Sequence, residues 1–208
     1  MSYATTPIAG TLKAKDWEAR KAELLARGNE TLWAKTFEEF LMTRLALRYL
    51  DPIKLLQENG TFRGEGFTIV SVQCALIEFL AALKVGKSYK FLKKGETLGQ
   101  HEYTSSNALF CDFLFREEPF KEWFSDISAS RDFYQNVRCA LLHEARTKNG
   151  WKIWASGSIA VDANKKIVRR DALQTAINVY LAAYGSLLTR DQNVQAAFIR
   201  KFDHLSDI

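Results

Sequence analysis

The chain has 208 residues, of which 47% are hydrophobic, and a formal net charge of +5 at pH 7. This length and apolar content can fill a hydrophobic core, so we expect a globular protein with one domain. The longest apolar stretches are interrupted by Gln73, Glu78 or Lys84, short of the roughly 20 uninterrupted apolar residues that a membrane span requires. The composition therefore argues against a membrane protein, and we expect no membrane partner.

The N-terminal sequence MSYATTPIAGTLKAKDW has no cationic start followed by an apolar segment of the secretory kind, which predicts a cytoplasmic protein. Residues 1–14 are expected to form a flexible arm, and residues 15–208 a single helical domain. Apolar residues recur at helical spacing through most of the chain, and prolines stand only at positions 7, 52 and 119. This pattern predicts an all-α fold.

In chain order, helices are predicted over residues 15–27, 30–50, 67–86, 106–117, 119–126, 131–147, 171–189 and 191–204. Asn29 is expected to cap the second helix, and Ser128 or Ser130 the helix over 131–147. Residues 87–105 are polar without a sustained period, which predicts a long loop after the third main helix. Strand-like residues in WKIWAS and KKIVRR, on either side of VDAN, predict a small β-hairpin at about 151–169.

The predicted helix over 67–86 has two different faces. A wide apolar face contains Ile69, Val72, Leu76, Phe79, Leu80 and Leu83. The opposite face carries mainly small residues, which would let another helix approach closely. Glu78 is the charged residue on that face, and it lies either in the helix contact or in water.

Three cysteines, Cys74, Cys111 and Cys139, are an odd set without a close pair, so we expect reduced thiols rather than a disulfide framework. The chain has no Cys-x-x-Cys pair and no His-x-x-x-His spacing, and it therefore lacks clustered ligands for a structural zinc ion. We predict no bound metal and no cofactor.

Positive charge is concentrated in residues 131–170, which contain nine Lys or Arg and three Asp or Glu. The net charge of this segment is +6, so the remainder of the chain is close to −1. Clusters of Arg and Lys favour phosphate-bearing partners, because direct contacts and counterion release supply most of the affinity for nucleic acids. A solvated basic face without a ligand is the structural alternative.

The segment NVRCALLHEARTKNGW, residues 136–151, places Arg138 and His143 five positions apart in one predicted helix. The residues on the core-facing side of that helix are Phe133, Val137, Ala140 and Leu141. In a straight helix Arg138 and His143 flank this side, roughly 140° apart around the axis and about 7.5 Å apart along it. One copy does not bring them together, but two copies crossing near a twofold axis would place two arginines and two histidines around one cleft.

The motif Arg-Cys-Ala-Leu-Leu-His, in a late helix of an all-helical chain, resembles the signature of HEPN-domain ribonucleases, in which four to six residues separate Arg from His. The resemblance covers the helical architecture and this one short stretch of sequence. Members commonly have Asn, Asp or His directly after the arginine, whereas this chain has Cys139. The resemblance implies a HEPN-like helical bundle that cleaves RNA without a metal ion, leaving a cyclic phosphate and a 5′-hydroxyl end.

In this interpretation His143 is the general acid or base, because an imidazole exchanges protons near neutral pH. Arg138 is the phosphate clamp, since its planar guanidinium stays charged and can stabilise the transition state. Glu78, Glu144 and Cys139 are the supporting residues, and Glu144 lies so close to the apolar face that it needs a partner or water. The predicted RNA contacts are Arg131, Arg146, Lys148, Lys165, Lys166, Arg169 and Arg170.

The resemblance also implies partners: RNA, a second copy of the chain in a homodimer, and an antitoxin or a component of a phage-defence system. Two other functions stay open, a non-catalytic HEPN-like module that binds RNA or nucleotides and a helical module that binds another protein. For His143 the structural alternative is a hydrogen-bonded histidine at a helix edge. His101 and His204 are assigned structural roles.

Overall fold

The computed structural model describes residues 6–61 and 63–207 and is mainly helical, which confirms the predicted mainly-α class. The chain divides into two compact units. Unit 1 contains the chain up to Asp51, Ala82–Thr104 and the chain from Ala182 onward. Unit 2 contains Pro52–Ala81 and Ser105–Leu181, and therefore the Arg-x-x-x-x-His motif.

The α-helices are α1 (Ala14–Arg27), α2 (Glu30–Thr36), α3 (Thr43–Leu45), α4 (Asp51–Asn59), α5 (Glu65–Val85), α6 (Asn107–Arg116), α7 (Ile127–Phe133), α8 (Ala140–Glu144), α9 (Arg170–Leu188) and α10 (Gln192–Leu205). Segments with the wider π-helical turn are π1 (Phe37–Met42), π2 (Ala46–Leu50) and π3 (Tyr134–Cys139), and a 3₁₀ turn covers Phe120–Trp123. The strands are β1 (Ser88–Tyr89), β2 (Glu102–Tyr103), β3 (Lys152–Trp154), β4 (Val161–Asp162) and β5 (Ile167–Arg169). The predicted ends of α1, α9 and α10 agree with these bounds to within one residue.

An aromatic cluster forms the core of unit 1. The Trp17 ring lies 5.4 Å from that of Phe40 and 5.1 Å from that of Phe202, measured between centroids. Phe198 stacks on Phe202 at 4.5 Å. The Trp17 indole also donates a hydrogen bond of 2.8 Å to Asp203, so its polar edge is satisfied at the margin of the core. The helical period of α1 and α10 thus reflects the packing of these two helices on each other.

Residues 8 and 9 of the N-terminal segment are buried. Ile8 is 5% exposed and Ala9 is fully buried, and Arg44 donates a hydrogen bond of 2.6 Å to the carbonyl oxygen of Ile8. The prediction of a flexible arm is therefore corrected for residues 8 and 9, because these two side chains belong to the core. The part of that prediction that concerns residues 1–5 lies outside the described residues.

The loop predicted at 87–105 contains one short ladder. β1 and β2 pair in parallel, with Ser88 opposite Glu102 and Tyr89 opposite Tyr103. Lys90 and Glu102 form an ion pair of 3.2 Å beside the ladder. The sequence does not predict this pairing, because each strand is only two residues long and carries no period.

The small sheet of unit 2 differs from the predicted hairpin. β3 and β5, the two segments expected to form it, run parallel, with Ile153 opposite Val168. The antiparallel partner of β5 is β4, and the strand order is β3-β5-β4. Asp162 accepts a hydrogen bond from the backbone of Lys165, which closes the tight turn between β4 and β5. The tight turn therefore lies after β4, and the chain over 155–160 returns between β3 and β4.

Helix α5 is 21 residues long, and by length and composition alone it could cross a membrane. In the described part of the chain it is the only helix with this property. Its most apolar stretch is 56% buried inside the protein. Because α5 contributes core residues such as Ile69, Leu76 and Leu83, we interpret it as a core helix and not as a membrane span.

Candidate active site

Residues 127–144 form one continuous helical segment, made of α7, π3 and α8, which we call the motif helix. It begins at Asp126, whose side chain accepts hydrogen bonds from the backbone of Ser128 (2.7 Å) and Ala129 (3.0 Å). Asp126 is therefore the N-cap, and the predicted cap at Ser128 or Ser130 is wrong. Hydrogen bonds from the Ser128 side chain and from these two backbone groups hold the pKa of Asp126 below its usual value.

The motif helix buries the predicted core-facing side. Phe133, Val137 and Ala140 are at most 3% exposed, and the Phe133 ring packs against Trp151 at 5.3 Å. The last helical residue is Glu144, three residues before the predicted end, and the backbone of the next residue, Ala145, is left-handed (φ 52°, ψ 31°). This termination leaves His143 in the last turn.

Arg138 and Cys139 lie in π3, where the backbone hydrogen bonds close over five residues instead of four. The wider turn changes the direction in which each later side chain points. The angle between Arg138 and His143 expected for a straight helix therefore does not apply. Such π-helical turns occur frequently at functional sites.

Glu78 on α5 binds Arg138. The distance between Arg138 Nη2 and Glu78 Oε2 is 2.7 Å, and the two side chains are 19% and 18% exposed. Glu78 therefore lies in the helix contact and not in water, which decides between the two alternatives left by the sequence. Burial alone would lower the pKa of Arg138, but the hydrogen bond and charge of Glu78 raise it overall, so the guanidinium stays charged.

The ring of Tyr134 lies beneath the same guanidinium. Its centroid is 5.5 Å from the Arg138 Cζ atom, one helical turn earlier in the chain. The Tyr134 hydroxyl is 3.0 Å from Ser106 Oγ, and burial is the main cause that raises the pKa of Tyr134. The sequence analysis does not connect Tyr134 with Arg138, although their spacing of four is a usable signal.

The cysteines lie around this arrangement. Burial raises the pKa of Cys74 to about 12 and that of Cys111 to about 11, so both are neutral thiols near pH 7. Cys139 is half-buried and directly follows Arg138. In the described residues no group of three His, Cys, Asp or Glu side chains has the arrangement of a metal site.

His143 is exposed, and within residues 6–61 and 63–207 its side chain makes no hydrogen bond or ion pair. The neighbouring Leu142 is 63% exposed. The alternative of a hydrogen-bonded histidine at a helix edge is therefore not what the structure shows. The imidazole is open to a ligand or to a second protein molecule.

Glu144 does not support Arg138 or His143 as predicted. Its carboxylate lies 3.2 Å from Arg146 Nη2 and also pairs with Lys148 Nζ. The hydrogen bond from Lys148, together with that from Arg146, lowers the pKa of Glu144. Glu144 therefore compensates part of the charge of two predicted RNA contacts.

The other predicted RNA contacts have different surroundings. Arg131 is exposed, and Lys165 is 75% exposed with Asp162 at 3.8 Å. Lys166 donates a hydrogen bond of 2.9 Å to the carbonyl oxygen of Asn149. Arg169 donates to the carbonyl oxygen of Ile159 at 2.8 Å and remains half-exposed. Arg131 and Lys165 are thus the two most accessible of these cations.

The prediction of Arg170 as an RNA contact is corrected. Arg170 is 3% exposed and lies 3.6 Å from Glu65 and 3.5 Å from Asp171. A buried guanidinium between two carboxylates is not available to a phosphate at the surface. Counting charges along the sequence does not distinguish such a structural arginine from an exposed one.

Asp132 is a structural residue that the sequence reasoning missed. Its carboxylate accepts hydrogen bonds from Asn136 (2.8 Å), Asn149 (3.0 Å) and the Trp151 indole (2.7 Å). It thereby connects the motif helix to the chain that follows it. The i,i+4 spacing of Asp132 and Asn136 is the one local signal for this contact.

Comparison with family models, with curated proteins and with solved structures finds no match for this chain.

Proposed function

We propose that this chain is a HEPN-type endoribonuclease that cleaves RNA without a metal ion and acts in the cytoplasm as a homodimer. The observation that supports this function best is the contrast on one helix between Arg138 and His143. Arg138 is held by Glu78, whereas His143 is exposed and without a partner in the described residues. A charged guanidinium and a free imidazole are the two groups that this kind of phosphodiester transfer uses.

In the proposed reaction the ribose 2′-oxygen attacks the adjacent phosphorus, and the bond from phosphorus to the 5′-oxygen breaks. One imidazole accepts the proton of the 2′-hydroxyl, and the imidazole of the second copy donates a proton to the departing 5′-oxygen. The Arg138 guanidinium has five N–H groups, one of which binds Glu78. In this proposal the remaining N–H groups bind the phosphate oxygens, on which negative charge increases in the transition state.

The homodimer is part of this proposal. Leu142 is 63% exposed directly beside His143, and an isologous contact of two motif helices would bury it. The same contact would bring the second imidazole to the site. We also propose a toxin or phage-defence role, with an antitoxin or defence partner. Only the resemblance to HEPN-domain ribonucleases supports this role.

The test is cleavage of labelled single-stranded RNA by purified protein in the presence of EDTA. We expect products that end in a cyclic phosphate, and loss of cleavage in His143→Ala. Because His143 is exposed, this substitution should leave the fold intact. His101→Ala is the matched control, since His101 is an exposed histidine in unit 1 and should be dispensable. A dimeric wild-type protein that leaves varied RNAs intact would contradict the proposal.

The second candidate is a non-catalytic HEPN-like module that binds RNA or nucleotides. The pairing of Arg138 with a carboxylate and the exposure of Arg131 and Lys165 favour it. It predicts RNA binding that weakens with salt, is reduced in Lys165→Ala, and produces no cleavage. Stable capture of a protein without any RNA affinity would instead favour the interaction module.

A further inference from the structure

A cavity of about 140 Å³ lies in unit 2 between the first turn of α5 and strand β3. Phe67, Ile153 and Trp154 form its apolar wall, and Glu65 and Arg170 are among its polar lining. Its volume is close to that of an engineered cavity of about 150 Å³ that binds benzene. The cavity therefore has room for one planar aromatic ring.

The aromatic wall of this cavity is exposed to solvent. Phe67 is 41% exposed and Trp154 is 48% exposed. Trp17, Trp33 and Trp151, in contrast, are at most 4% exposed. Aromatic side chains are stabilised by contact with other apolar or planar groups rather than with water. Two exposed rings at one cavity therefore indicate a planar ligand.

Positive charge is fixed at the same wall. The Arg169 Cζ atom lies 5.3 Å from the centroid of the Trp154 ring. Gly157 permits this position, since its backbone has φ +144° and a Cβ atom there would lie 2.3 Å from Arg169 Cδ. Lys152 is exposed two residues before Trp154, on the same face of β3.

The carboxylates near the cavity are already compensated. Glu65 accepts hydrogen bonds from the backbone of Arg63 (3.0 Å) and Gly64 (3.1 Å) and pairs with Arg170. Asp171 accepts a hydrogen bond of 2.8 Å from Gln57 and lies next to Arg170. Arg169 and Lys152 have no carboxylate partner within the described ranges 6–61 and 63–207. The balance of charge at the rim therefore favours an anionic ligand.

We propose that this cavity binds one unstacked nucleobase of single-stranded RNA. The base lies against Trp154 and Phe67, and the phosphates on either side of it face Arg169 and Lys152. This inference rests on the proposed RNA substrate and specifies its form, since a base inside a duplex cannot leave its stack without a cost in free energy.

The test measures binding of a fluorescein-labelled single-stranded RNA by anisotropy, with the His143→Ala protein as the parent so that no cleavage interferes. We expect Trp154→Ala to weaken binding by about five- to 150-fold, and Trp154→Phe to retain most of the affinity because the ring face remains. Phe91→Ala is the matched control, since Phe91 is an aromatic residue of unit 1 that is 75% exposed. An abasic oligomer of the same length and charge should bind the parent weakly and should not respond to Trp154→Ala.

Equal affinity of the parent and Trp154→Ala for RNA would overturn the inference, as would an abasic oligomer that binds the parent as tightly as RNA does. If circular dichroism shows that Trp154→Ala is unfolded, the abasic comparison on the parent protein decides alone. A captured protein ligand that depends on Trp154, in the absence of RNA affinity, would also count against it. A failure of the nuclease proposal is distinguishable, because the RNA would then bind in a Trp154-dependent way without being cleaved by wild-type protein.

Discussion

The ion pair of Arg138 and Glu78 allows the structural and catalytic roles of the arginine to be measured separately. Both side chains are less than one-fifth exposed, so removing one partner leaves the other charge mostly buried. Arg138→Ala should lower the free energy of unfolding by about 2 to 3 kcal/mol, from a charged hydrogen bond and from the contact with the Tyr134 ring.

In a protein that lacks Arg138, the substitution Glu78→Gln removes the unpaired negative charge of Glu78. The double variant Arg138→Ala/Glu78→Gln should therefore be destabilised by at least about 1 kcal/mol less than the sum of the two single variants. Urea unfolding followed by circular dichroism measures all four free energies, provided that the dependence on denaturant stays the same among the variants.

RNA cleavage by the same four proteins completes the cycle. Cleavage should be lost in Arg138→Ala and should stay lost in the double variant, because neither has a guanidinium for the phosphate. If the destabilisation of the double variant equals the sum of the two single effects within about 0.5 kcal/mol, the energetic coupling of the pair is refuted. Recovery of cleavage in the double variant would refute the clamp role, since the first loss would then be explained by instability.

Two further predictions concern packing and thiol reactivity. Gly185→Ala in α9 should destabilise the protein by about 1 kcal/mol in urea unfolding, although alanine is favoured over glycine in helices by about the same amount. The reason is that the new Cβ atom would lie 2.9 Å from the buried Phe37 ring, and such overpacking costs about 1 to 3 kcal/mol of stability. A variant as stable as wild type would contradict this prediction. At pH 8, iodoacetamide should modify the half-buried Cys139 first. Burial raises the pKa of Cys74 to about 12 and that of Cys111 to about 11. The reactive thiolate forms of these two residues therefore increase only as the pH rises toward these values. Peptide mass spectrometry gives the order, and faster labelling of Cys74 than of Cys139 in folded protein would contradict it.

The helices could be predicted closely from the sequence because apolar period and stop signals are local properties. The predicted segment 67–86 corresponds to α5, Glu65–Val85, and Asn29 caps α2 through the backbone of Leu32 as expected. The core-facing side of the motif helix, from Phe133 to Leu141, could also be predicted from the sequence, because its apolar residues recur on one face of the helix.

The strand pairing and the surroundings of the charges could not be predicted, because both depend on distant parts of the chain. Nothing within KKIVRR indicates that β5 pairs in parallel with β3 and antiparallel with β4. The burial of Arg170 follows from Glu65, which is 105 positions earlier in the chain. The π-helical turn at Arg138 could not be predicted either, because the spacing of apolar residues does not determine which backbone hydrogen bonds close over five residues.

Asp132 has a mechanical consequence for the motif helix. Both carboxylate oxygens accept hydrogen bonds, from Asn136 and Asn149 on one side and from the Trp151 indole on the other. A displacement of residues 149–151 from the first half of the motif helix would have to break the bond from Asn149 or the bond from Trp151. Asp132 thus ties this half of the helix to the segment that follows its C-terminal end, and asparagine at position 132, with only one accepting oxygen, would weaken the connection.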